Sequence, residues 1–142
     1  MYKKILVAVD GSPISAAAFR AALQQVLAWN AELHIVYVIE TGLFKSIPAD
    51  NTVEMLYSML QIEGQNVVEN LVADAERAGA TPSVHFEHGH AGETIVSLAK
   101  EIQADLIVLG THGKSDIDRL LLGSVTSFVI AHSLTSTLVV RS

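Results

Sequence analysis

Short, unbroken apolar runs alternate along this chain with segments of helical periodicity, and that alternation leaves few folds open to it. Residues 5–9 (Ile-Leu-Val-Ala-Val) form one such run, and Asp10-Gly11-Ser12-Pro13 follows with turn chemistry. Ser12 there suits an N-cap and Pro13 the first helical position. Phe19, Ala22, Leu23, Val26 and Leu27 then recur at helical spacing, and residues 33–39 make a second apolar run broken by His34. Residues 41–52, with Gly42 and Pro48, read as the longest loop. Leu56, Leu60, Val67, Leu71, Ala75 and Ala78 predict a long helix over about 53–78, weakened at Gly64 and closed by Gly79. Residues 83–87 are the poorest strand and are expected at a sheet edge. Ile95, Leu98, Ala99 and Ile102 mark another helix, residues 105–109 a buried strand ending at Gly110, Val125, Phe128 and Val129 a further helix, and residues 138–140 a last strand.

Strands that are apolar without period-two alternation are covered on both faces. Five of them alternating with four helices predict an α/β fold, an open parallel sheet with helices on both sides. Right-handed crossovers collect the strand-to-helix loops at the carboxyl edge, where open α/β sheets bind ligands. At 142 residues the expectation is one domain, 1–142, without linker, repeat or low-complexity segment. Half the residues are hydrophobic and 17% are charged, which excludes disorder. There is no cysteine, and so no disulfide, thiol nucleophile or Cys-type metal site. The net charge of −6 disfavours nucleic-acid backbone and anionic lipid as partners. No apolar run approaches the roughly 20 residues of a membrane span, and residues 5–9 are too short for a signal-peptide core. The expected location is cytoplasmic.

The chemistry concentrates after the fourth strand, in Gly110-Thr-His-Gly113-Lys-Ser-Asp-Ile-Asp-Arg-Leu-Leu-Leu-Gly123-Ser124-Val125-Thr126. Glycine at a strand end permits positive φ and close backbone approach to a ligand. The amides of Ser124, Val125 and Thr126 open a helix, lack carbonyl partners in its first turn, and sit at the positive end of its dipole. Such amides bind anions, and the hydroxyls of Ser124 and Thr126 offer two more donors. Gly113-Lys114-Ser115 is not a Walker A loop, because Val108 stands where that motif needs its first glycine. The G-x-G-x-x-G dinucleotide fingerprint is also missing after the first strand.

Gly110, Gly113, Gly123 and Ser124, in the spacing G-x-x-G, nine residues, G-S, resemble the ATP-binding signature of the universal stress protein family. The opening Lys4-Ile-Leu-Val-Ala-Val-Asp10-Gly-Ser12 and the closing Leu120-Leu-Leu-Gly-Ser-Val125 and Leu138-Val-Val-Arg141 resemble it too. The resemblance implies a five-stranded parallel sheet of order 3-2-1-4-5 and a nucleotide at its carboxyl edge. Carried over, Ala8, Val9 and Asp10 would line the adenosine side, with Val38 beside adenine through its backbone. Leu109 and Gly110 would face the ribose, and Gly113, Gly123, Ser124, Val125 and Thr126 would hold the phosphates. The implied ligand is ATP, or ADP or AMP, with Mg²⁺ held by the phosphates. The family also implies a homodimer, or a higher oligomer, formed through the C-terminal strand at about residues 137–141. Ser136 stands where many members have proline, which leaves an extra N–H donor near that strand.

The function so implied is an ATP-binding stress-response regulator, a nucleotide-dependent homodimeric switch acting on an unknown partner. The alternative is a slow ATPase or an autophosphorylating protein, with Ser124 as one acceptor. No residue pair at a fixed spacing supplies a general base, so no catalytic residue is assigned. A receiver-like phosphoacceptor lacks its acidic cluster, and an adenylyl transferase lacks His-x-x-His after the first strand. Asp10 suits an Asx turn and His34 a hydrogen-bonded core position. His112 suits either the neighbourhood of phosphates or a solvated loop. Lys114 and Arg119 stand in the phosphate loop with Asp116 and Asp118 beside them, which makes their attraction for anions modest. His88 and His90 flank Gly89 on opposite sides of extended chain, an arrangement that points to loop polarity more than to a shared metal. Met55 and Met59 share a helical face that suits packing or a dimer surface.

Overall fold

The computed structural model describes residues 1–42, 51–113 and 122–141. In chain order its elements are β1 (Lys4–Ala8), α1 (Pro13–Trp29), β2 (Glu32–Glu40), α2 (Asn51–Arg77), β3 (Ser83–Gly89), α3 (Ala91–Glu101), β4 (Leu106–Gly110), α4 (Ser124–His132) and β5 (Ser136–Val140). The sheet runs β3-β2-β1-β4-β5 and every neighbouring pair is parallel. Both the α/β class and the 3-2-1-4-5 order expected from the sequence are observed, and β3 does lie at an edge.

Alternate side chains on each strand feed two cores, as a sheet covered on both faces requires. Ile5, Val7, Ile35, Tyr37 and Val108 pack with Phe19 of α1 and Val68 of α2. Leu6, Val36, Ile107 and Leu109 pack on the other face with Ile95 and Leu98 of α3 and Val129 of α4. Helices α1 and α2 therefore cover one face, α3 and α4 the other.

The helix ends follow local chemistry. Ser12 caps α1 by accepting from the Ser15 amide at 3.2 Å, with Pro13 next in line. Gly79, at φ +95°, ends α2 in a conformation that costs a side chain dearly. Gly64 is not the weak point its helix propensity suggests. A Cβ there would lie 2.6 Å from the Tyr37 ring and 2.9 Å from that of Phe86, so its absence lets α2 settle on this stacked aromatic pair. Met55 and Met59 point away from the core and are 62% and 60% exposed.

Candidate functional site

β1 is shorter than the strand beside it, and the site follows from that. Its last ladder bond runs from the Val9 amide to the Val36 carbonyl, 3.0 Å, after which the chain turns into α1. β2 continues four residues further, held by β3 alone as far as Glu40 paired with Gly89. Backbone groups alternate sides along a strand. Since the Val36 carbonyl faces β1 and the Thr41 amide bonds Gly89 of β3, the amide and carbonyl of Val38 face the β1 side, beyond where β1 ends. Neither has a partner among the described residues.

A cavity of about 450 Å³ opens there. All eleven positions singled out from the sequence line it: Ala8, Val9, Asp10, Val38, Leu109, Gly110, Gly113, Gly123, Ser124, Val125 and Thr126. Ser15, Glu40, Leu60, Ala91, Ile95 and His112 also line it, of which sequence reasoning had weighed only His112. Glu40 and Ala91 fall in the carboxyl-edge stretches 39–51 and 87–93, which the sequence marks as places to look, but nothing local singles out either residue. The β2–β3 register and the start of α3 bring them in. A volume of this size lies within the usual range for small-molecule sites.

Three helices begin at this cavity, and their first turns differ. At α1 the Ser15 amide is satisfied by Ser12, and the Ser12 amide by Asp10 Oδ1 at 2.9 Å, the Asx turn expected of Asp10. At α3 the Ala91 amide donates to Glu40 Oε1 at 3.0 Å and the Glu93 amide to His90 Nδ1 at 3.1 Å. His90 is thus an N-cap, and its ring also meets Phe128 edge-on. At α4 the cap is Gly123, which has no side chain to offer, and no side-chain cap bond is made. The first amide bonded back to the cap is that of Ser127, on the Gly123 carbonyl. The amides of Ser124, Val125 and Thr126 therefore lie in the one uncapped first turn of the three, with the helix dipole behind them.

Two details correct the sequence reading. The Thr126 hydroxyl donates to the Gly110 carbonyl at 2.7 Å, within the protein. It ties α4 to the end of β4, so among the described residues it is the Ser124 hydroxyl of the pair that is left for a ligand. Gly110 is required for space, not for positive φ: a Cβ there would lie 2.8 Å from Ile14 Cγ1. Gly113 is close-packed likewise, its missing Cβ 2.9 Å from Asp10 Oδ2. Thr111, not foreseen as important, is buried and accepts from the Gly123 amide at 2.7 Å, while its hydroxyl meets His112 Nδ1 at 3.0 Å. Lys114 and Arg119 lie outside the described residues.

The profile of the universal stress protein family matches residues 1–141. The chain belongs to the universal stress protein family. A universal stress protein of Methanocaldococcus jannaschii is 35% identical over 141 residues, covering 99% of this chain and 83% of that protein. The structure of universal stress protein UspA from Lactobacillus plantarum superposes with a TM-score of 0.91 at 27% identity, covering 99% and 98% of the two chains. Another family structure, solved in complex with cAMP, has a TM-score of 0.73 at 31% identity, covering 98% and 97%.

Elsewhere in this family member, His34 has its expected partners: Nδ1 lies 2.9 Å from His85 Nε2 and Nε2 3.3 Å from Glu32 Oε2. Burial, reinforced by His34, lowers the His85 pKa below the ordinary histidine value, against the opposing carboxylates of Glu87 and Glu101. This pair lies away from the cavity, toward the start of β2. No helix among the described residues is long and apolar enough to cross a membrane.

Proposed function

We propose that the protein is a cytoplasmic, ATP-binding regulatory protein whose homodimer changes its engagement of a partner with nucleotide state. The observation that carries the reading is the uncapped first turn of α4, at one side of a cavity whose other side presents the unpaired Val38 backbone. Val38 and Gly110 stand on strands either side of β1, so about 10 Å, two strand spacings, separates them. A nucleoside phosphate spans that distance. An amide beside a carbonyl complements the N1 acceptor and N6 donor of adenine. The Ser124, Val125 and Thr126 amides and the Ser124 hydroxyl complement phosphate oxygens, as helix N-termini generally do. Ala8, Val9 and Leu109 supply the apolar floor, and Asp10 stands near Gly113 at the phosphate side.

Among the described residues no lysine or arginine lines the cavity, so amide donors carry the attraction for the anion. Mg²⁺, bound with the nucleotide, would offset phosphate charge close to Asp10. The cAMP complex of a related protein supports an adenine nucleotide as the ligand class. For the homodimer, the support is the outer edge of β5, which has no strand beyond it among the described residues.

Calorimetric titration of nucleotide-free protein with ATP, ADP, AMP and cyclic AMP, with and without Mg²⁺, tests the reading. One site per chain with ATP tighter than AMP is expected. Binding that ignores the number of phosphates would remove α4 from the site, and no binding would remove the function.

A further inference from the structure

Glu40 is the acid that the sequence reading passed over, and its position gives it a task. It follows Val38 by two residues on the same strand, so its side chain leaves the sheet on the same face and its backbone faces the same gap. It lines the cavity together with Val38. One oxygen, Oε1, is held by the Ala91 amide at 3.0 Å, which fixes the carboxylate against the start of α3. The other oxygen has no partner among the described residues. The two acids of the cavity thus have different surroundings: Asp10 closes the turn into α1, and Glu40 stands at the β2 side, beyond Val38 along the strand.

A base bonded to Val38 places its N1 at the amide and its 6-substituent at the carbonyl, the end of Val38 nearer Glu40. An amino group there has two hydrogens. One meets the Val38 carbonyl, and the second is directed along the strand toward the Glu40 carboxylate. A 6-oxo group offers lone pairs to the same two acceptors and is repelled by both, the charged one most strongly. We infer that Glu40 is a specificity-determining residue that selects 6-amino over 6-oxo purine nucleotides. The inference rests on the nucleotide-binding reading above.

The test compares ATP with ITP on wild-type protein and on Glu40→Gln. ITP has a 6-oxo group and an N1 hydrogen where ATP has a 6-amino group and an N1 lone pair. The Val38 backbone contributes equally in both proteins, so the change in the ATP-to-ITP ratio reads Glu40 alone. Glutamine keeps an oxygen for the Ala91 amide and replaces the second acceptor with a donor. Wild type is expected to prefer ATP by at least about tenfold, and the variant to lose about a factor of ten of that preference, the size of one charge-assisted hydrogen bond. The loss should come from weaker ATP and stronger ITP binding together. A role confined to holding α3 would weaken both nucleotides alike and leave the ratio within twofold, which overturns the inference. Equal binding of ATP and ITP by wild type overturns it as well, while the nucleotide reading stands. If wild type binds neither, the nucleotide reading fails and the inference falls with it.

Discussion

Single residues act here mainly through the space they leave. Gly110 ends β4 against Ile14, and its carbonyl holds the Thr126 hydroxyl. A methyl at Gly110 must push Ile14 and the first turn of α1 away, since the nearest contacts are 2.8 and 3.2 Å to its side chain and 3.4 Å to its backbone. Gly110→Ala is expected to cost about 1–3 kcal/mol, the usual range for overpacking. Urea denaturation of the nucleotide-free protein measures it, and an unchanged midpoint would show that Ile14 gives way freely. The motif glycines were legible in the sequence, but as ligand-approach positions. That Gly110 makes room for the distant Ile14 side chain was not, because a contact between β4 and α1 has no local trace.

At the level of elements, the informative contrast lies among three helix starts at one cavity. Helices α1 and α3 close their first turns with Ser12, His90 and the distant Glu40, and α4 leaves its own open. An open first turn stabilises a bound anion at the expense of the empty protein. Gly123 has φ −63° and ψ 160°, a conformation open to any L-residue. Gly123→Asp should therefore supply the missing cap, stabilising the nucleotide-free protein by about 0.3–1 kcal/mol through capping and the helix dipole. The same carboxylate occupies the amides and repels phosphate, so ATP affinity should fall by more than about tenfold. Thermal melts and calorimetry on one preparation check both halves. A variant that gains stability and keeps its ATP affinity would place the phosphates away from α4.

Across the whole molecule, the sheet ends in two edges, β3 and β5. The Val140 carbonyl accepts from the Thr111 amide, so Ser136, Leu138 and Val140 face β4 and Thr137 and Val139 face outward. The N–H at Ser136 thus adds nothing to the free edge. Val139→Pro removes an outward donor and spares the bonds to β4, a substitution that edge strands tolerate. In the proposed homodimer it should shift the monomer–dimer equilibrium toward monomer by tenfold or more, about 1.4 kcal/mol, with little change in the melting of the monomer. Sedimentation at low micromolar concentration reads this out, and a distribution like that of wild type would move the interface elsewhere.

The sequence by itself determined the layering, the strand order through the family resemblance, and the edge on which ligand-facing residues gather. Those properties live in local periodicity and in the punctuation that Asp10 and Gly110 provide at strand ends and Gly79 at a helix end. The open first turn of α4 was legible too, because its cap is a glycine. Only the tertiary structure decided that Glu40 closes the start of α3 and joins the cavity, and that the Thr126 hydroxyl is engaged within the protein. Each of these depends on how separate elements are brought together, Glu40 against α3 and Thr126 against the end of β4. A parallel sheet brings such residues together through crossovers, and no local pattern in the chain records the resulting contact.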